Sequence, residues 1–121
     1  MPEQSQLVVV MTHGPEDELS SVGFTITNGG LTAGMDVAVF LTSAAVDIVR
    51  RRAADHAHAK PLEPLAALVS DFLARGGTLW ACTPCVKARG YGQEDLIDGV
   101  IITGAAPMHE RIMNGAATLS F

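Results

Sequence analysis

Apolar residues fall in short uninterrupted runs along this chain, separated by stretches of helical period. The runs are "QLVVVMT" (6–12), "DVAVFLT" (36–42), "TLWAC" (78–82), "GVIIT" (99–103) and "AATLSF" (116–121). Continuous apolar runs of this length, the first two rich in Val, are the mark of strands buried on both faces. Between them the period changes. Pro15 suits the first position of a helix, and Glu16, Asp17 and Glu18 favour its positive end. Leu19, Val22 and Ile26 continue one face of that helix, which must stop near Gly34. "SAAVDIV" (43–49) reads as a short helical turn and "RRRAADHAHAKP" (50–61) as an exposed polar loop. The strongest helix runs from Leu62 to Arg75. Leu62, Leu65, Ala66, Val69, Phe72 and Leu73 make its apolar stripe, and Gly76-Gly77 its stop. "TPCVKARG" (83–90) reads as a turn into a short helix, and "APMHERIMN" (106–114) as a helix with Pro107 in its first turn. Buried strands alternating with helices predict a parallel five-stranded sheet covered on both faces, a three-layer α/β/α arrangement, flavodoxin-like in outline. Such sheets carry their chemistry at the carboxyl ends of the strands. Cys82, His13-Gly14 and Thr42-Ser43 occupy such ends.

Composition narrows the function classes. The 121 residues fit one domain spanning 1–121, and 48 % apolar against 17 % charged residues excludes disorder. A mean hydropathy of +0.27 leaves apolar surface to spare, so a homo-oligomer is expected, with Phe24 and Phe121 as interface or core residues. The net charge of -5 argues against nucleic-acid and anionic-membrane partners, which need a basic footprint. "MPEQSQ" lacks the basic start of a secretion signal, and no apolar run approaches the roughly 18 residues of a membrane span. The chain is therefore expected in the cytoplasm, where cysteines stay reduced.

That places weight on Cys82 and Cys85, the only two cysteines, spaced C-x-x-C. Either can be a small packed residue. Structural zinc wants four ligands, and one pair does not supply them. His56 and His58 are two apart in a polar loop, and His13 and His109 are isolated, so no metal is expected. "WACTPC" resembles a thioredoxin dithiol, but it follows the third strand, and Ala81 separates Trp80 from Cys82. The remaining reading is a reactive thiolate. Cys82 precedes a helix start, with Lys87 and Arg89 nearby. A helix N-terminus and cations both favour thiolate over thiol, although the two cations also suit a solvated helix face. No cofactor is implied.

The details together resemble a small DsrE/DsrF-like protein, of the family that includes sulfur-relay subunits. The similarity spans nearly the whole chain. It rests on the first strand entering "HGPED", on "GLTAGMDVAVFLTSAAV", and on "CTPCVKARGYGQEDLIDGVIITG". The resemblance implies a parallel five-stranded sheet, trimers or hexamers, and sulfur donor or acceptor proteins as partners. By spacing to Arg89-Gly90 it makes Cys82 the sulfur-carrying residue, accepting sulfane sulfur as a persulfide. Lys87 and Arg89 are then expected to stabilise the thiolate, and Cys85 to be a second thiol or core. His13 is expected near the cleft as an acid or base, or as an ordinary loop residue. The alternatives are a dithiol redox protein using Cys82 and Cys85, and a non-catalytic oligomer binding a small anion, drawn by Arg50, Arg51 and Arg52.

Overall fold

The computed structural model describes residues 4–121. Residues 1–3, at the head of the segment read for a secretion signal, lie outside the described residues. Five parallel strands form one sheet: β1 (Gln6–Met11), β2 (Asp36–Leu41), β3 (Thr78–Cys82), β4 (Val100–Thr103) and β5 (Ala117–Ser120). Their order is β4-β3-β2-β1-β5. Each of β2 to β4 lies beside its predecessor, while β5 returns across the sheet to pair with β1.

Helices α1 (Glu18–Thr32), α2 (Leu65–Ala74), α3 (Thr83–Ala88) and α4 (Ala106–Met113) connect the strands, with a 3₁₀ segment over Ser43–Val49. Side chains alternate across a strand, which makes the two faces distinct. Gly23 of α1 sits against Met11, and Gly30 against Leu7 and Val37. The α1 face therefore carries the Leu7, Val37 and Leu79 set. Phe72 of α2 meets Phe24 of α1 edge to face, with ring centroids 5.9 Å apart. On the opposite face α4 crosses Thr78 and Trp80. Arg111 lies over the Trp80 ring at 5.4 Å and pairs with Asp36 at 3.0 Å.

Several sequence expectations are corrected. Helix α1 starts at Glu18, because the Asp17 carboxylate caps it by accepting the Leu19 N–H at 2.8 Å. Pro15 lies in the preceding turn. The buried face of α1 is not Leu19, Val22 and Ile26. Leu19 and Ile26 are each 41 % exposed, whereas Ser20, Gly23, Phe24 and Thr27 face the core. The hydroxyls tolerate burial because Ser20 donates to the Gly14 carbonyl and Thr27 to the Phe24 carbonyl. Phe24 is thus core, and Phe121 packs against that core beside Gly23. Helix α2 begins at Leu65 rather than Leu62, since Pro64 disfavours helical geometry at Glu63. The sheet is not buried throughout. All four residues of β5 are exposed, and Ile101 of β4 is 51 % exposed.

Candidate functional site

The cysteines stand where β3 passes into α3. Cys82 ends the strand and is the N-cap residue of α3, but its side chain makes no capping bond. It is 8 % exposed and belongs to the core. Cys85, in the first turn of α3, is half-buried and faces the end of the neighbouring strand. The Ser43 N–H donates to Cys85 Sγ at 3.2 Å, and the Thr42 hydroxyl lies 3.5 Å from the same sulfur. Ser43 has φ 53, in the left-handed region. Non-glycine residues rarely adopt it, and it carries a cost of about 1–2 kcal/mol. The strained residue is the one whose N–H meets the sulfur.

Electrostatics follow the same geometry. Burial pushes the Cys85 thiol up. Hydrogen bonds from Thr42, Cys82 and the Ser43 backbone, with the positive charge of Arg89, more than offset this and hold it below the ordinary thiol value. Arg89 is fixed in turn. Its Nη1 donates to the Cys85 carbonyl at 3.3 Å, and its Nε is 3.4 Å from the Asp47 carboxylate. Tyr91 donates its hydroxyl to Asp47 at 2.6 Å. That bond, with burial and the Asp47 charge, raises the Tyr91 pKa against the lowering pull of Arg50 and Arg89. Arg50 covers the Tyr91 ring at 5.5 Å. The result is a half-buried thiol with donors aimed at it and a guanidinium held beside it, an arrangement suited to a sulfur anion.

The pattern of the DsrE/DsrF-like family matches residues 5–121. This chain belongs to the DsrE/DsrF-like family. Among its relatives, an uncharacterized protein of Methanocaldococcus jannaschii is 29 % identical over 106 residues, covering 88 % of this chain and 85 % of the relative. An uncharacterized protein of Methanopyrus kandleri is 29 % identical over 115 residues, covering 92 % and 88 %. Two solved structures share the fold. The ychN protein from E. coli superposes with a TM-score of 0.77 at 19 % identity, over 98 % of this chain and 100 % of that one. A protein of unknown function from Methanobacterium thermoautotrophicum gives 0.76 at 20 % identity over the same shares.

Within this DsrE/DsrF-like chain the expected residues separate into two groups. Thr42, Ser43, Cys82, Cys85 and Arg89 come together. Lys87 does not join them: it is exposed, and its side chain has no hydrogen bond or ion pair among the described residues. His13 and Gly14 also lie apart, on β1's side of β2. His13 pairs loosely with Asp17 at 4.0 Å, and the Gly14 carbonyl anchors Ser20 of α1. The thiolate-stabilising contacts expected at Cys82 lie at Cys85. The reason is the turn of α3, which carries Cys85 towards β2 while Cys82 stays in the strand. Asp47 and Tyr91 were not anticipated. The available signals were the Asp within the helical turn after β2 and the lone Tyr two residues past Arg89. No three His, Cys, Asp or Glu side chains among the described residues are grouped to hold a metal ion. Among the described residues no helix is long and apolar enough to cross a membrane.

Proposed function

We propose that this DsrE/DsrF-like protein is a cytoplasmic sulfur carrier, with Cys85 as the thiol that accepts sulfane sulfur. The observation that carries the reading is the strained Ser43, whose N–H points at Cys85 Sγ. Backbone strain kept at such a position is a feature of functional sites. The Cys85 thiolate attacks the outer sulfur of a persulfide or polysulfide donor. A new S–S bond forms on Cys85, the donor's S–S bond breaks, and the electron pair leaves on the donor thiolate. The Ser43 N–H, the Thr42 hydroxyl and Arg89 favour the anionic form of the product as they favour the thiolate. An acceptor thiolate then attacks the outer sulfur, and Cys85 leaves as the thiolate again. The donor and acceptor are proteins or small thiols that dock at the strand ends of a homo-oligomer.

Cys82 supplies a second reading. It stands three residues before Cys85 and helps to lower that thiol's pKa, which suits a dithiol couple in which Cys82 attacks the inner sulfur of the Cys85 persulfide. That step expels hydrosulfide and leaves a Cys82–Cys85 disulfide, which a reducing thiol must reopen. Intact-mass analysis after exposure of reduced protein to polysulfide separates the two. A carrier gains about 32 Da per sulfur atom, reversibly with dithiothreitol. Cys85→Ser is expected to abolish the adduct, and Cys82→Ser to retain it, with an unchanged lifetime for a simple carrier and a longer one for the dithiol couple. An adduct that survives in Cys85→Ser and disappears in Cys82→Ser would return the carrier role to Cys82. Its absence in the wild type would remove the carrier reading.

A further inference from the structure

A concavity lies away from the thiol, between α2, the end of the 3₁₀ segment and the loop that follows it. Its volume is about 330 Å³, within the range of roughly 300–1,000 Å³ typical of small-molecule sites. Ile48, Val69, Leu73 and Ile97 form an apolar floor, and Arg50 and Arg52 stand at the rim. One wall is rigid. Arg50 bridges Leu96, the Ile97 N–H donates to the Val49 carbonyl at 2.9 Å, and the Arg51 N–H to the Asp95 carbonyl at 2.8 Å.

The rim charges do not cancel. Asp98 also lines the site, but it is bound by Arg51 at 2.9 Å. With Arg51 counted, three guanidiniums stand against the Asp55 and Asp98 carboxylates, one positive charge in excess. Arg52 has no side-chain hydrogen-bond or ion-pair partner among the described residues, and it holds a left-handed backbone at φ 72. Arg52 is exposed, and its guanidinium is free to meet a carboxylate at the groove's edge.

We propose that this groove is a binding site for a small organic anion with an apolar body, of the class of medium-chain carboxylates. The chain or ring of the ligand covers Val69 and Leu73, and its carboxylate meets Arg52, with Arg50 beside it. The inference does not rest on the sulfur-carrier reading, since the groove contains neither cysteine. Arg50 nevertheless faces both sites, because its guanidinium covers the Tyr91 ring.

Titration of the isotope-labelled full chain with octanoate, followed by amide shifts, tests this. Saturable shifts are expected at Ile48, Val69, Leu73 and Ile97. Arg52→Gln is expected to weaken binding about tenfold or more, the scale of a lost hydrogen bond to a charged group. Ala66→Trp, which fills the groove from α2, is expected to abolish binding while the spectrum stays dispersed. Arg52→Gln leaves the packing untouched and keeps the test valid if Ala66→Trp unfolds. The proposal is overturned if no saturable shift appears below about 10 mM, weaker than any specific site of interest. It is equally overturned if the shifts map elsewhere, or if octanol binds as tightly as octanoate.

Discussion

Ser43 contributes by its N–H, not its hydroxyl, so the identity of its side chain matters less than its backbone angle. Ser43→Gly keeps the N–H and removes the left-handed penalty. Against the extra chain entropy of glycine, it is expected to raise stability by about 0.5–1 kcal/mol and to preserve thiol reactivity. Ser43→Pro removes the donor and forces a negative φ, so it is expected to slow alkylation of Cys85 at neutral pH. Denaturant melts and iodoacetamide kinetics read the two effects. The lowered Cys85 pKa has a stability consequence of definite sign. A thiol held below its unfolded value binds fewer protons when folded. Stability therefore rises with pH between the folded and unfolded values, and is lost as pH falls through the folded one. Cys85→Ser is expected to flatten that slope, and an unchanged slope would mean the thiolate is not stabilised. Tyr91 is the only tyrosine, so tyrosinate absorbance reports it without interference. Its ionisation is expected above the ordinary tyrosine range, and Asp47→Asn, which removes the carboxylate charge, should bring it back down.

The elements were legible to different degrees, for physical reasons. β1, β2 and β3 announce themselves because inner strands of a parallel sheet are buried on both faces, leaving no polar interruption in "LVVV" or "VAVFL". Helix α1 hides its buried face, since Ser20, Ser21, Thr27 and Asn28 are polar yet buried. The hydroxyls of Ser20 and Thr27 bond to the Gly14 and Phe24 carbonyls and the Asn28 amide to that of Leu68 at 3.1 Å, and no hydropathy pattern records such bonds. Position at a strand end was enough to find Thr42-Ser43 and the cysteine pair. The left-handed turn at Ser43 and the Tyr91–Asp47 bond, between residues 44 apart, depend on tertiary placement. The α1–α2 contact gives a test at this scale. Phe72 is fully buried against Phe24 and Gly77. Phe72→Ala is expected to cost about 3–5 kcal/mol, read by denaturant unfolding, with the thiol site otherwise unaltered.

For the molecule as a whole, the covering of the sheet is uneven. Two helices stack on the α1 face, but only the eight residues of α4 cross the other. Ile101 and Met113 are left exposed at its margins. The oligomer proposed above is expected to use the uncovered margin at β4. Sedimentation velocity at micromolar concentration should report a species larger than one chain, and Ile101→Glu should shift it towards the monomer. A wild-type monomer would remove the oligomer from the proposed function. The strand order carries one more consequence, for the history of the fold rather than its final form. β1 to β4 pair with near neighbours in sequence, whereas β5 reaches β1 only after almost the whole chain has been laid down. Long-range pairing of this kind forms late. With all its side chains exposed, β5 is held by its ladder to β1 and by the clasp of Phe121 between Val10 and Thr12. Such a strand is among the first to open locally. When it does, β1 becomes a bare apolar edge, open to a strand from a second molecule at high concentration.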